Sequence, residues 1–228
     1  MSTASQLLWR NDVELFSLMR KKLFPAVVGD ILDALGFRHQ FLSRAIQPLA
    51  PEMVVVGRAL PVLHRDLEPG ESEEKPFGLM LDALDDLKPG EVYFATGGSP
   101  DYALWGELMS TRAMHLGAAG AVLDGSSRDT HGILKLKFPT FAHGRYSQDQ
   151  KGRGTVIDFR VPVESGAVKV NPGTILFGDI DGVLAIPLEA EKDVLRQALE
   201  KIDKENQVRV AIENGMSTVE AFARFGVM

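Results

Sequence analysis

The sequence predicts one α/β domain with two β layers and helices at both ends. Three observations predict it. Helix-period runs open and close the chain. Alternating helical and strand-like runs fill its middle, and from 155 to 187 short apolar runs alternate with Gly and Pro turns, as in a small antiparallel unit. No repeat, low-complexity tract or linker divides the 228 residues, so 1–228 reads as one domain. Its N-terminal helices span 11–36, its core 50–187 and its C-terminal helices 189–224.

The elements follow in order. Residues 11–22 (NDVELFSLMRKK) read as an amphipathic helix capped by Asn11 or Asp12, with Val13, Phe16 and Met19 sharing a face. Arg20, Lys21 and Lys22 suit its C-terminal dipole end. After Pro25, AVVGDILDALG makes a second helix, with Gly36 as the residue just past its end. The β-branched run 53–64 (MVVVGRALPVLH) is a strand, with a bulge or bend expected at Gly57. Residues 68–76 (EPGESEEKP) are a solvated acidic loop, 77–87 a helix and 91–96 (EVYFAT) a strand. A further helix starts within 101–106 and runs to Leu116, followed by a strand over 119–125. Residues 130–137 suit a short helix, 138–144 a strand and 145–156 a polar loop. After the β unit, a long helix runs from Glu189 to about Asn214, and a last one spans 217–224.

Composition narrows the function. A net charge of −6 argues against nucleic acid as the main ligand, because phosphate-backbone binding normally needs a basic face. Without cysteine, thiolate metal sites, Fe–S clusters, disulfides and cysteine nucleophiles are excluded. The N-terminus shows no basic region followed by an apolar one, and no apolar run approaches bilayer length. The expectation is a cytoplasmic protein with no membrane partner.

The richest stretch is Gly106–Asp129, GELMSTRAMHLGAAGAVLDGSSRD. It places an acid, Glu107, near a helix start and an Arg–Asp pair, Arg128 and Asp129, past the end of the next strand. A helix from about Ala103 to Leu116 would run roughly 21 Å, and a strand from Ala119 to Asp124 roughly 20 Å back. The turn Gly117–Gly120 reverses the chain, so the three charged groups meet at one end. A helix N-terminus offers unpaired N–H groups and partial positive charge to an anion. Gly106 leaves room for a ligand to reach the amides of Glu107, Leu108 and Met109. Arg128 adds a planar fork for a carboxylate or a developing oxyanion. Glu107 and Asp129 are hard oxygen donors that suit Mg²⁺ or Mn²⁺ better than zinc. Each residue also has a plain reading: dipole partner for Glu107, surface turn for Arg128-Asp129, turn signal for Asp124-Gly125.

The same run resembles the signature of the RraA-like family, which includes metal-dependent 4-hydroxy-4-methyl-2-oxoglutarate/4-carboxy-4-hydroxy-2-oxoadipate aldolases. The family pattern is an acid, twenty residues, then Arg-Asp. Here Glu107, twenty residues and Arg128-Asp129 match it, and AVVGDILDALG (26–36), VGRALPV (56–62) and NPGTILFGDIDGVLAIP (171–187) resemble family segments in the right order. The resemblance implies a swivelling β/β/α layered domain with flanking helices, and a homotrimer or homohexamer. It implies that Asp129 is the metal ligand, Arg128 the oxyanion stabiliser, Gly106, Leu108 and Met109 the substrate-binding turn, and Glu107 the residue that orients water at the ion. The implied activity is retro-aldol cleavage of a small 2-oxo acid to pyruvate, or decarboxylation of oxaloacetate. Position 107 is Glu where some such aldolases carry Asp. Two other readings stand beside it: a non-catalytic regulator, since the family includes a regulator of a ribonuclease, and a lyase or hydratase acting on a sugar acid.

The remaining motifs read as structure. Gly178–Gly182 (GDIDG) lacks the continuing ligands of a calcium loop and suits a tight β turn. The five histidines show no ligand spacing, with His131 the best placed for a supporting role. Arg145 and Arg153 could line the mouth for an acidic substrate; the plainer reading of both is solvated loop arginines.

Overall fold

The computed structural model describes residues 9–71 and 75–227. Helices α1 (Asp12–Lys22) and α2 (Pro25–Ala34) open the described chain, followed by β1 (Gln47–Pro48) and β2 (Val55–Asp66). Then come α3 (Met80–Asp85), β3 (Glu91–Thr96), β4 (Ala103–Trp105), α4 (Glu107–His115), β5 (Gly120–Leu123) and β6 (Ser126–Ser127). The chain continues through α5 (Thr130–Leu136), β7 (Thr140–Ala142), β8 (Gly144–Arg145), β9 (Gly154–Phe159), β10 (Val163–Ser165) and β11 (Val168–Val170). It ends in β12 (Ile175–Asp179), β13 (Gly182–Ile186), α6 (Glu191–Glu213) and α7 (Thr218–Phe225).

The main sheet has the order β1-β7-β5-β3-β2-β12-β13, with β9 also on β2. Strands β2, β3, β5 and β7 run parallel to one another, while β12 and β9 pair β2 antiparallel. The sheet curls towards closure. Leu42 N–H donates to the Val183 carbonyl at 2.9 Å and Phe41 bridges Leu184, so the chain entering β1 at one edge also touches β13 at the other. The continuous burial of β3 is what a strand covered on both faces requires, and it explains the unbroken apolar run VYFA.

Two cores result. One fills the sheet's curl and the layer beneath α3, α4 and α5, around Leu60, Tyr93, Phe94, Val122 and Phe141. The other lies between the outer sheet face and α1, α2 and α6, around Phe16, Val28, Phe177, Leu184 and Val194. Arg58 stitches the second layer. Its guanidinium donates to Asp12 at 2.7 and 2.9 Å, to Glu191 at 2.6 and 3.1 Å and to the Gly173 carbonyl at 3.2 Å, joining α1, β2 and α6. Charge-assisted bonds of this kind are the strong ones, and they hold the Asp12 carboxyl below its ordinary value and raise the guanidinium.

The α/β class stands, with several local corrections. In α1 the inward face is Leu15, Phe16 and Met19, and Val13 is exposed. Gly57 makes no bulge; a Cβ there would lie 2.3 Å from the Gly90 carbonyl, so glycine is required for close strand approach, and the register shift falls at Leu63/His64. The helix expected over 77–87 contracts to Met80–Asp85 because Phe77 and Gly78 both adopt positive φ, 66° and 59°. The polar loop at 145–156 already becomes strand at Gly154. The late β unit is not separate: β12 joins the main sheet beside β2, and only β10 and β11 stand alone as a hairpin. The GDIDG segment is the tight turn expected, with Asp181 N–H donating to the Asp179 carboxylate at 2.9 Å. Of the acidic loop over 68–76, residues 72–74 lie outside the described residues. Among the described residues no helix is long and apolar enough to cross a membrane.

Candidate active site

A second, three-stranded parallel sheet, β4-β6-β8, brings the charged groups together. Parallel strands deliver the residues that follow them to the same edge, and ligands gather at such carboxyl ends. After β4 come Gly106 and α4, after β6 come Arg128 and Asp129, and after β8 comes the loop carrying Asp149 and Gln150. Arg128 N–H donates to the Trp105 carbonyl and Tyr146 N–H to the Ser127 carbonyl, each at 2.8 Å, which fixes the three exits relative to one another.

This corrects the geometry expected from sequence and keeps part of its outcome: Arg128 and Asp129 line one cleft, and the Glu107 side chain does not. Residues Ala103–Trp105 are strand, so the helix starts at Glu107 and has nine residues, roughly 14 Å. The return is made by two short strands, β5 and β6, and not by one long one. The approach of the Glu107 backbone to Asp129 rests on strand pairing more than on matched lengths.

Local packing sets the start of α4. Trp105, 1% exposed, donates its indole N–H to Ser110 Oγ at 2.7 Å, and Ser110 Oγ donates to the Gly106 carbonyl at 3.1 Å. Gly106 caps the helix with extended backbone and no side chain. Asp129 Oδ2 fills the space a side chain would take: a Cβ on Gly106 would lie 2.7 Å from it. That same oxygen accepts from the Glu107 amide at 3.5 Å. The first-turn amides of Leu108 and Met109 have no protein acceptor among the described residues. They are the orphan donors of a helix start, facing the positive end of the dipole.

Asp129 holds a left-handed conformation, φ 55° and ψ 32°, which Asp tolerates better than most residues. Arg128 lies between two acids, its Nε 3.7 Å from Asp129 Oδ2 and its Nη1 3.3 Å from Asp149 Oδ1. Two carboxylates outweigh one guanidinium, so this edge is net anionic. Gly106, Leu108, Met109, Arg128 and Asp129 all line one cleft of about 270 Å³. Glu107 is not part of that lining. Its carboxylate accepts from Thr111 Oγ1 at 3.2 Å, and its Cγ packs where a Cβ on Gly132 would be, 2.4 Å away.

The sequence reading missed Asp149 and Gln150. Gln150 is 2% exposed, lines the cleft, and neither its amide nitrogen nor its oxygen meets a hydrogen-bond partner among the described residues. Buried amides are normally satisfied, so this one points to something the protein alone does not supply. His131 is exposed on the first turn of α5, and Arg145 donates to the Leu49 carbonyl; neither lines the cleft. Among the described residues no group of three or more His, Cys, Asp or Glu side chains is arranged to hold a metal. The donor set does not fit a closed zinc cage; any hard cation held here would have Asp129 as its carboxylate and water for most of its other ligands.

The chain is similar to several known proteins. A family model described as RraA-like, Aldolase/RraA, matches residues 26–185. Protein DlpA of Legionella pneumophila is 30% identical over 196 residues, 86% of this chain but 31% of DlpA, so the chain spans about a third of that relative. A Halalkalibacterium halodurans protein provisionally named for 4-hydroxy-4-methyl-2-oxoglutarate aldolase is 31% identical over 196 residues, covering 86% of this chain and 87% of that one. A solved structure described as one of several novel cellulases from gut-associated microbes superposes with a TM-score of 0.79 at 30% identity, over 90% of each chain. Streptomyces coelicolor RraAS2, described as an unusual member of the RNase ES inhibitor RraA family, superposes with a TM-score of 0.77 over 88% of this chain and 98% of its own, and at 23% identity that likeness concerns the fold alone.

Proposed function

Because this chain belongs to the RraA-like family, we propose that it is a divalent-metal-dependent lyase that cleaves a small 2-oxo acid and releases pyruvate. One observation carries the reading: the Asp129 carboxylate, the Arg128 guanidinium and the free amides of Leu108 and Met109 converge on one cleft. A regulator that only docks a partner has no use for orphan amides and an ion-ready acid inside a cleft. A volume near 270 Å³ suits a small acid and not a polymer chain.

Asp129 would hold Mg²⁺ or Mn²⁺, mostly through water. When bound, the ion supplies a Lewis acid for the substrate's carboxylate and keto oxygens. The net anionic edge explains why an anionic substrate needs that cation. The amides of Leu108 and Met109 take the carboxylate at the helix N-terminus. In the retro-aldol step the C4 hydroxyl would pass its proton to water and the C3–C4 bond would break. Its electron pair moves onto the C2 oxygen as a pyruvate enolate, and the other fragment leaves as a carbonyl compound. Arg128 stands beside that developing oxyanion. Glu107, tethered by Thr111 and outside the cleft lining, would act only through water at the cleft's edge, which would take the C4 hydroxyl proton and return one to C3. Oxaloacetate would lose CO₂ through the same enolate. The reading extends to a cytoplasmic homotrimer or homohexamer, which light scattering checks.

The test is direct. The purified chain is incubated with Mg²⁺ and either oxaloacetate or an aldol adduct of pyruvate, with release coupled to lactate dehydrogenase. Pyruvate is expected from the parent protein and not from Asp129→Ala. Absence of pyruvate at every Mg²⁺ and Mn²⁺ concentration, or an unchanged rate in Asp129→Ala, sinks the assignment.

A further inference from the structure

We propose that the substrate of this cleft carries one carboxylate and an apolar far end, in place of a second carboxylate; this rests on the 2-oxo acid reading above. Opposite the polar edge the cleft is walled by Leu81 and Leu84 of α3 and by Leu108 and Met109 of α4. Leu81 is 50% exposed and Leu108 78% exposed. Neither is large and apolar for the sake of the core. Two such side chains on the lining of one cleft give it an apolar surface that a ligand can cover.

Charge argues the same way. Arg128 is the one cation among the described lining residues, and Asp129 and Asp149 already flank it. The cations on the segments that build the wall are engaged elsewhere: Lys75 with Asp82, and Arg112 with Asp85 at 2.7 Å. A second carboxylate at the far end of the substrate would meet leucine and methionine with no counter-charge, and burying an unpaired charge is costly.

Backbone strain marks the same wall. Phe77, which lines the cleft just before α3, sits at φ 66°, a region that bulky side chains avoid. The next residue is held by contact, since a Cβ on Gly78 would lie 2.3 Å from the Val156 carbonyl. The strained pair fixes where α3 begins, and so where Met80, Leu81 and Leu84 stand. Strain of this kind persists where the surroundings over-determine it, commonly at ligand sites.

Binding and cleavage separate this proposal from the one it rests on. By calorimetry with Mg²⁺ present, 2-oxo-4-phenylbutanoate is expected to bind the full chain at least tenfold tighter than 2-oxoglutarate, and Leu81→Lys to reduce that ratio severalfold. Equal affinities, a preference for 2-oxoglutarate, binding of neither acid, or a ratio unmoved by both Leu81→Lys and Leu108→Lys overturns the inference. Cleavage is then read by pyruvate release from 4-hydroxy-2-oxo-4-phenylbutanoate and 4-hydroxy-2-oxoglutarate. A tenfold higher kcat/KM for the phenyl compound supports both readings. Preferential phenyl binding without pyruvate from either leaves the apolar site standing and removes the lyase. Faster cleavage of the dicarboxylate keeps the lyase and overturns the apolar site.

Discussion

The Asp149 carboxylate lies 3.3 Å from the Arg128 guanidinium, reaching it from a loop twenty-one residues further along the chain. The pair is about one-third exposed on each side, so its worth to stability is small, ~1 kcal/mol or less. Its value is orientation. Asp149→Asn is expected to lower kcat about tenfold by loosening Arg128, while KM for an anionic substrate stays level or falls because one negative charge has left the edge. Steady-state kinetics with the lactate dehydrogenase couple reads the split. A raised KM at constant kcat would show that Asp149 binds substrate and does not position Arg128.

Gly106→Ala tests the packing of Asp129 on the helix start. The backbone there is extended and accepts alanine, but the new Cβ would sit 2.7 Å from Asp129 Oδ2. The carboxylate must shift, and displacements near 1 Å can cost ~100-fold in rate. We expect a loss of ten- to a hundredfold in kcat/KM, a weakened Mg²⁺ response and a melting temperature within a few degrees of the parent.

Gln150→Leu separates a ligand-facing amide from a structural one. A buried amide without partners costs ~1–3 kcal/mol, so replacing it with leucine is expected to leave stability unchanged or raise it by ~1 kcal/mol. Affinity for the 2-oxo acid is expected to fall tenfold or more. Chemical denaturation and calorimetry measure the two. A strongly destabilised variant would mean that the amide serves the fold.

His64 gives the protein a pH dependence. It is buried on β2, neither ring nitrogen has a partner among the described residues, and burial pushes its value down from 6.5 to about 4. Between those values the unfolded chain binds the proton and the folded one does not, so stability rises with pH across that window and falls on acidification. The full effect is ~3 kcal/mol. Melting temperature is expected to drop steadily from pH 7 towards pH 4, and His64→Leu to flatten the slope. An equally steep slope in the variant refutes this.

Arg58→Met removes the staple among α1, β2 and α6, leaving Glu191 half-buried without its cation. We expect a loss of roughly 2 kcal/mol in denaturation experiments, below the figure for fully buried pairs because Asp12 is exposed. The parent is expected to lose further stability at lower pH through Asp12, and the variant is not. Asp12 is held below its ordinary value, so its contribution is present above that value and lost as pH falls through the lowered one. The two titrations occupy different windows, which lets one acid series read both.

Much of the architecture was legible because it obeys local rules. Asn11, Pro25 and Gly36 bound the first helices as their chemistry requires, and the run EVYFAT is a strand buried on both faces. The candidate site was half legible. The Glu107 to Arg128-Asp129 spacing lies within one helix, turn and strand unit, where periodicity speaks. Ala103–Trp105 was read as helix because a three-residue apolar run carries no period of its own. Asp149 and Gln150 were invisible for a different reason. They reach the site through the parallel pairing of β4, β6 and β8, three strands of three residues or fewer, and such short strands leave almost no pattern in sequence.

The loop after β8 meets the rest of the site through a short set of ties among the described residues: Tyr146 N–H to the Ser127 carbonyl at 2.8 Å, Ala103 N–H to the Gln148 carbonyl at 2.9 Å, the bridge from Ala103 to Asp149, and the ion pair to Arg128. The groups assigned to the chemistry sit elsewhere, on the exits of β4 and β6. Selection can therefore vary the loop around Asp149, retuning which molecule is accepted while the carboxylate that orients Arg128 is kept. A graft of residues 146–153 from a relative, with Asp149 retained, is the engineering form of the same statement: it would carry over a preference and leave the reaction in place.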